Sequence, residues 1–116
     1  MAFGNYARQL REQQRRASHR YSLRQTAQRI GVKPAYLSRV ERGNTSPPSE
    51  DTIRRLAADL GEDADLLLAL AGKVGSDIRS IIIQRPILFA ELIRALSDVA
   101  DDNLALLVRK ARNRQF

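Results

Sequence analysis

Apolar side chains recur along most of the chain at intervals of three and four residues, the spacing of one face of an α-helix. Strict alternation of apolar and polar residues, which marks a half-buried β-strand, is almost absent. The first three apolar stripes are Phe3, Ala7 and Leu10, then Leu23, Ala27 and Ile30, then Leu37 and Val40. The pattern predicts an all-α protein.

Residues that favour helix ends separate these stripes. Ser22 lies three residues before Gln25, the spacing of a capping box, and Pro34 suits the first turn of a helix because its missing N–H costs nothing there. Gly31 is expected in the left-handed conformation that ends many helices. Further end signals lie at Gly43, Ser49, Gly61, and Asp63 or Asp65. Together these signals predict five helices by about residue 72.

The fifth of these helices is expected to complete a first hydrophobic core. Its inward-facing residues are predicted to be Leu66, Leu67 and Leu70. The glycine-containing segment 72–75 follows and is the most marked boundary in the chain. We therefore expect one domain at residues 1–72 and a helical extension at 73–116.

The extension carries three more predicted helices, which begin near Ser76, Pro86 and Asp101. Its apolar residues are too dense for all of them to face one small core, and exposed apolar patches usually mark an interface. The residues expected in such an interface are Ile82, Ile83, Leu88, Phe89, Leu92 and Ile93. Two interpretations are open, extra helices packed on the first core or a dimerisation element, and we favour dimerisation.

Charge is distributed unevenly along the chain, which has a formal net charge of +7. Residues 1–44 contain ten basic side chains and only two acidic ones, Glu12 and Glu41, whereas residues 45–72 are net acidic. A surface that binds phosphates requires such a basic segment, but a solvated basic face would have the same composition. Charge alone leaves both interpretations open.

Several classes of function are not expected. The chain has no Cys, so it has no disulfide and no thiolate zinc site. His19 is its single histidine and lies in a polar, basic segment, and no set of nucleophile, base and orienting group is apparent. The N-terminal residues do not resemble a secretion signal, and the apolar runs, 81–83 among them, are far too short for a membrane span. We expect a soluble, cytoplasmic protein that is not an enzyme, contacts no membrane, and holds no metal or cofactor.

The most informative segment runs from Ser22 to Gly43, SLRQTAQRIGVKPAYLSRVERG. It places two short helices on either side of a glycine turn, with the small Ala27 where the helices must approach closely. A helix held across its neighbour in this way can present its outer face to the major groove of DNA, which is about 12 Å wide.

Here the chain closely resembles the Cro/CI-like helix-turn-helix family of phage and bacterial repressors, often called Xre-type regulators. The resemblance covers residues 3–72. The matching elements are Phe3-Gly4, Arg8 and Arg11, Ala27, Ile30-Gly31-Val32, Leu37-Ser38, Glu41-Arg42-Gly43, Leu56-Ala57 and Leu60-Gly61. The resemblance implies a five-helix, lambda-repressor-like DNA-binding core in domain 1–72, with additional C-terminal helices.

The resemblance also implies roles for individual residues. Residues expected over base edges are Lys33, Pro34, Ala35 and Arg39. Residues expected near phosphates are Ser22, Tyr36, Ser38, Arg42 and Asn44. Arg11 and Glu41 are expected to form a structural ion pair. Within this set Arg39 is the first candidate for direct readout, because arginine paired with guanine is the commonest specific contact.

One departure from the family lies in the connection from Gln13 to Tyr21, which is longer than in its relatives. It contains Arg15, Arg16, His19 and Arg20. The extra residues are expected either to lengthen the first helix or to form a basic loop beside the DNA backbone.

The leading hypothesis is a sequence-specific, double-stranded DNA-binding transcriptional regulator, a homodimeric repressor of a palindromic operator that inserts the helix from Lys33 to Arg42. In a two-fold dimer the two recognition helices would lie about 34 Å apart. An alternative is an antitoxin, or another protein that binds a protein partner through residues 76–112 and regulates itself through the same motif. A third is a nonspecific architectural DNA protein.

Overall fold

The computed structural model describes residues 2–116, so Met1, the first residue of the predicted first domain, lies outside the described residues. Every regular element in this range is helical. The helices are α1 (Ala2–Ala17), α2 (Leu23–Ile30), α3 (Pro34–Glu41), α4 (Glu50–Leu60), α5 (Ala64–Leu70), α6 (Ser76–Gln84), α7 (Pro86–Ala95) and α8 (Asp101–Arg112), with a 3₁₀ turn at His19–Tyr21 between α1 and α2. The prediction of an all-α protein with additional C-terminal helices is confirmed.

The N- and C-termini of the helices in the first unit lie at the residues that the sequence predicts. The Ser22 hydroxyl accepts a hydrogen bond from the Gln25 N–H, and Ser49 caps α4 in the same way. Gly31 has φ 79°, a left-handed conformation that a side chain would strain. Asp63, rather than Asp65, is the residue that caps α5, through bonds to the N–H groups of the following turn.

The chain forms two compact units, Met1–Gly75 and Ser76–Phe116. The first unit encloses a core to which each of α1 to α5 contributes. Its buried apolar side chains are Phe3, Ala7, Ala27, Ile30, Leu37, Val40, Ile53, Leu56, Ala57, Leu60, Leu67 and Leu68. The prediction for α5 was wrong at one position, because Leu66 is exposed and Leu68 is buried. Since α5 meets the core along only one face, a shift of the assumed apolar stripe by one residue takes Leu66 out of the core and brings Leu68 into it.

α1 packs closely against the C-terminal end of α3 at Gly4. A Cβ added to Gly4 would overlap the carbonyl oxygen of Val40 and lie 3.1 Å from that of Glu41. The absence of a side chain therefore allows the two helices to approach, and it sets the position of α3.

The second unit has no comparable core. None of the residues of α6, α7 or α8 is buried. Large apolar side chains are instead exposed on all three helices, Ile87 on α7 reaching 75% of full exposure. Within residues 2–116, none of the helices has the length and apolar character that crossing a membrane requires.

The contact at Gly4 generates a prediction about stability. Gly→Ala inside a helix ordinarily stabilises by about 0.5–1 kcal/mol, because alanine has the higher helix propensity. Gly4→Ala should instead lower the free energy of unfolding by about 1–3 kcal/mol, because the methyl group must displace backbone. Chemical denaturation followed by circular dichroism measures the change.

Asn5→Ala is the matched control, because Asn5 is the exposed neighbour of Gly4 in α1. It should be neutral or slightly stabilising. A Gly4→Ala variant as stable as Asn5→Ala would show that α1 and α3 are not held together at this point.

Candidate nucleic-acid interface

α2 and α3 meet across a short turn that begins at Gly31. The Val32 N–H donates to the Ala27 carbonyl at 3.0 Å, which closes the C-terminal turn of α2. Ala27 is completely buried, and α3 turns Leu37 and Val40 toward the core. The inner face of α3 is therefore fixed, and its opposite face points to solvent.

The outer face of α3 carries the residues predicted to contact bases. Lys33, Ala35 and Arg39 are exposed, and Pro34 at the start of the helix is partly exposed. In the part of the chain that the structure describes, neither Lys33 nor Arg39 forms an ion pair. These two cations are therefore available to a ligand, and no ion pair would have to be broken first.

Arg39 is oriented by an aromatic neighbour. Its guanidinium lies over the ring of Tyr36, 5.9 Å from the ring centroid. The Tyr36 ring is partly buried against the core, so its own position is constrained. A cation–π contact of this kind restricts the arginine side chain before any ligand arrives.

Three of the residues predicted near phosphates, Ser22, Ser38 and Arg42, lie around the N-terminus of α2. Ser38 and Arg42 line a polar depression of about 310 Å³ together with Arg8 and with Leu23, the first residue of α2. Ser22 caps that helix and is partly exposed. Free N–H groups and the helix dipole make such an N-terminus favourable for anions. Arg8 lines the depression but is not among the predicted site residues.

Asn44 and Tyr36 occupy other positions. Asn44 is exposed just beyond α3, and its N–H donates to the Arg39 carbonyl at 2.9 Å. Tyr36 lies on the outer side of α3 beside Arg39 rather than at the depression. The structure thus groups Ser38 and Arg42 around one depression and places Asn44 and Tyr36 outside its lining.

Arg11 and Glu41 form a buried, two-pronged ion pair beneath the depression. Arg11 Nε donates to Glu41 Oε2 at 2.7 Å, and Arg11 Nη2 donates to Glu41 Oε1 at 2.8 Å. The hydrogen bond to the carboxylate raises the pKa of Arg11 above its ordinary value, so the guanidinium stays charged. Arg11 Nη1 also donates to the Tyr21 carbonyl at 3.1 Å. One guanidinium thus joins α1, α3 and the 3₁₀ turn.

The connection from Gln13 to Tyr21 lengthens the first helix, which was one of the two expected outcomes. Helix α1 continues to Ala17, and a 3₁₀ turn follows at His19–Tyr21. Arg29 holds this turn, because its Nη1 donates to the Arg20 carbonyl at 2.6 Å and its guanidinium stacks on Tyr21. Sequence reasoning missed Arg29, which also forms an ion pair with Asp59 at 2.6 Å. No local signal marks it, because its partners are nine and thirty residues away.

A polar helix held by its neighbour across a glycine turn is the arrangement of a helix-turn-helix, a motif that places its second helix in the major groove of double-stranded DNA. Comparison with known proteins agrees with this geometry: residues 2–70 match the family described as a helix-turn-helix domain, and the chain belongs to that family.

Two curated relatives come from Mycobacterium tuberculosis, one from strain CDC 1551 / Oshkosh and one from strain ATCC 25618 / H37Rv. Each is described as an uncharacterized HTH-type transcriptional regulator and is 44% identical over 59 residues. The aligned segment is 51% of this chain and 41% of each relative, so the chain spans about two-fifths of the length of these relatives. No solved structure matches the chain.

The buried ion pair generates a second prediction. Glu41→Leu leaves the Arg11 guanidinium buried without its carboxylate, which should cost about 3–5 kcal/mol of unfolding free energy. The double variant Arg11→Met/Glu41→Leu removes both charges and should recover most of that loss. Urea denaturation of the single and double variants measures both effects.

Glu12→Leu is the control, because Glu12 pairs with Arg8 on the exposed side of α1. Removing an exposed pair should cost no more than about 1 kcal/mol. Equal losses for Glu41→Leu and Glu12→Leu would contradict a structural role for the buried pair.

Proposed function

We propose that this chain is a sequence-specific, DNA-binding transcriptional regulator of the Cro/CI-like, Xre type, and that it acts as a homodimeric repressor in the cytoplasm. The observation that carries the proposal is the outer face of α3, where Lys33 and Arg39 are exposed and free of ion pairs. The family match and the names of the two mycobacterial relatives support it. The proposal assigns no catalytic step, metal or cofactor.

In this proposal, domain 1–72 binds DNA and α3 reads bases. Lys33, Pro34, Ala35 and Arg39 face base edges, and Arg39 donates to the O6 and N7 atoms of a guanine. Its contact with Tyr36 supports this role, because an arginine already oriented loses less conformational freedom when it binds.

Phosphates flank α3 on both sides. Ser22, Ser38 and Arg42 bind one phosphate at the N-terminus of α2, and Tyr36 and Asn44 contact the backbone elsewhere. The polar depression supports the first contact, because it brings two of these side chains to the start of α2. Phosphate contacts of this kind set the register of a protein on the duplex and carry little sequence information.

The helical extension, residues 73–116, pairs with a second copy of the chain. The lack of any buried residue in α6 to α8 supports this. The second unit, Ser76–Phe116, exposes so many apolar side chains that it needs a partner surface. The proposed contacts are Ile82, Ile83, Leu88, Phe89, Leu92 and Ile93. The structure adds an apolar groove between α7 and α8, of about 350 Å³, whose lining includes Leu92, Leu104 and Leu107.

Charge on α8 favours a second copy over an unrelated partner. Asp101 and Asp102 lie in its first turn, and Arg109, Lys110 and Arg112 lie in its last turn. Two copies of α8 that run antiparallel about a two-fold axis would place the acidic turn of each opposite the basic turn of the other. A two-fold dimer would present two recognition helices about 34 Å apart to a palindromic operator.

The reading face generates a third prediction. Arg39→Ala should cost about 1–3 kcal/mol of binding free energy on the preferred operator and relax base preference at one position of each half-site. Arg42→Ala should weaken binding to all sequences alike and lower the dependence of affinity on salt concentration. The measurement is binding to operators selected from random DNA, repeated with every single-base variant.

The two variants control for each other, because both remove one exposed arginine from α3 or its C-cap. Full sequence discrimination by Arg39→Ala would show that α3 does not read bases through Arg39. A specificity ratio near one for the unmodified protein would favour the architectural alternative.

The extension generates a fourth prediction. Leu88→Lys/Ile93→Lys should convert a dimer to monomers, because two like charges would face their copies across the axis. Operator affinity should fall with it, since each half-site would then be bound separately. Light scattering gives the mass, and circular dichroism checks that the helices remain.

Leu66→Lys is the control, because Leu66 is an exposed leucine of the first unit. It should leave the dimer intact. An unmodified chain that is monomeric at micromolar concentration would overturn the dimer and leave the partner-binding alternative for residues 76–112.

A further inference from the structure

The stretch from Gln13 to Val40 contains no acidic residue. Its basic residues are Arg15, Arg16, Arg20, Arg24, Arg29, Lys33 and Arg39. The proposed function uses only Lys33 and Arg39, and Arg29 is occupied by Asp59. The remaining arginines lie at the end of α1, in the 3₁₀ turn and at the start of α2. None of them has a role in the proposed function.

The backbone of the 3₁₀ turn is fixed by several side-chain hydrogen bonds. Its carbonyl groups at Arg20 and Tyr21 accept hydrogen bonds from the guanidinium groups of Arg29 and Arg11, at 2.6 Å and 3.1 Å. The Ser18 hydroxyl accepts from the Arg20 N–H at 3.2 Å. These bonds fix the position of the turn and leave the Arg20 side chain exposed.

Three of the unused arginines lie close together in sequence, at the end of α1, in the 3₁₀ turn and in the first turn of α2, and we call them the arginine strip: Arg15, Arg20 and Arg24. Arg15 lies one helical turn beyond Arg11, which itself reaches the 3₁₀ turn. Arg20 precedes the cap residue Ser22 by two positions, and Arg24 is in the first turn of α2. All three side chains are exposed, and among residues 2–116 none of them forms an ion pair.

We infer that the arginine strip binds backbone phosphates of duplex DNA beyond those contacted at the α2 N-terminus, which extends the interface along the flank of each half-site. This inference rests on the proposed function. Its support is the position of the strip beside the proposed phosphate contact, together with the lack of any carboxylate partner for three neighbouring cations. Such contacts release counterions from DNA and are independent of base sequence.

The test replaces the whole strip with Arg15→Gln/Arg20→Gln/Arg24→Gln, which removes charge and retains hydrogen-bonding side chains. Each phosphate contact contributes about 0.9 to the slope of log affinity against log salt concentration, so the slope should fall by about 2–3 for each half-site, or by about 5 for a dimer that contacts both. Affinity near physiological salt should fall by about 100-fold for each half-site, equally for the selected operator and for a random-sequence duplex. Base preference should not change.

The matched control is Arg54→Gln/Arg55→Gln/Lys73→Gln, which lowers the net charge by the same amount. Arg54 and Arg55 are paired with Glu50 and Asp51 along α4, and Lys73 follows α5. The control should retain nearly the full salt slope. Circular dichroism establishes that both triple variants keep their helices.

A second arm uses duplexes of decreasing length around the selected operator. Trimming the flanking base pairs should reduce the affinity of the unmodified protein and have little effect on the strip variant. Equal salt slopes for the strip and control variants, with the operator still bound, would overturn the inference and leave the proposed function intact. Failure of the unmodified chain to bind any duplex would overturn the proposed function itself.

Discussion

Arg11 donates two hydrogen bonds to Glu41 in the interior of the first unit, where both side chains are almost fully removed from water. A buried pair of this kind adds little net stability compared with an apolar pair of similar volume, but its geometry is strict. Here that geometry joins α1 to the C-terminal end of α3, while a third bond joins α1 to the turn that precedes α2. The relative positions of the α2 N-terminus and α3 therefore depend on one guanidinium.

Gly4 and Arg29 complete this support from opposite sides. The missing side chain at Gly4 allows α1 to reach the backbone of Val40 and Glu41, so that Arg11 arrives at its partner. Arg29 connects the end of α2 to both Asp59 on α4 and the Arg20 carbonyl. Glu62 adds a further connection, since it accepts a hydrogen bond from the Tyr6 hydroxyl and raises the pKa of that group. The outer face of α3 can remain polar and exposed because the support comes entirely from behind it.

The two units differ in how much of their apolar surface they bury. The first encloses complete side chains such as Phe3 and Ile53 within a single chain. The second buries none of its residues, although α6 and α7 contain a run of isoleucine and leucine side chains. Pairing with another copy, as proposed, would supply the surface that 41 residues cannot provide for themselves. DNA binding and assembly would then be separate properties of separate units, and the operator would couple them.

Helix positions were predictable from the sequence because their signals are local. Ser22, Gly31, Pro34 and Gly61 act on groups within one turn of themselves, and the structure places a helix end at each of them. The pairing of Arg11 with Glu41 was anticipated only through a family resemblance, since no spacing rule connects residues thirty positions apart. The exposed Leu66 shows the limit of periodicity in a helix as short as α5, where two apolar stripes that differ by one residue fit the sequence almost equally well.

The sequence by itself determined an all-helical chain, the ends of its helices, a basic first third and a polar face on α3, because propensity, capping and charge act over a few residues. Only the tertiary structure decided which cations are free. Arg11 and Arg29 are occupied by Glu41 and Asp59, whereas Arg39 lies over Tyr36 and is exposed to solvent. The physical reason is that an ion pair depends on the distance between two charges in space. The fold brings carboxylates that are far away in sequence to Arg11 and Arg29, and it brings none to Arg39 among the described residues.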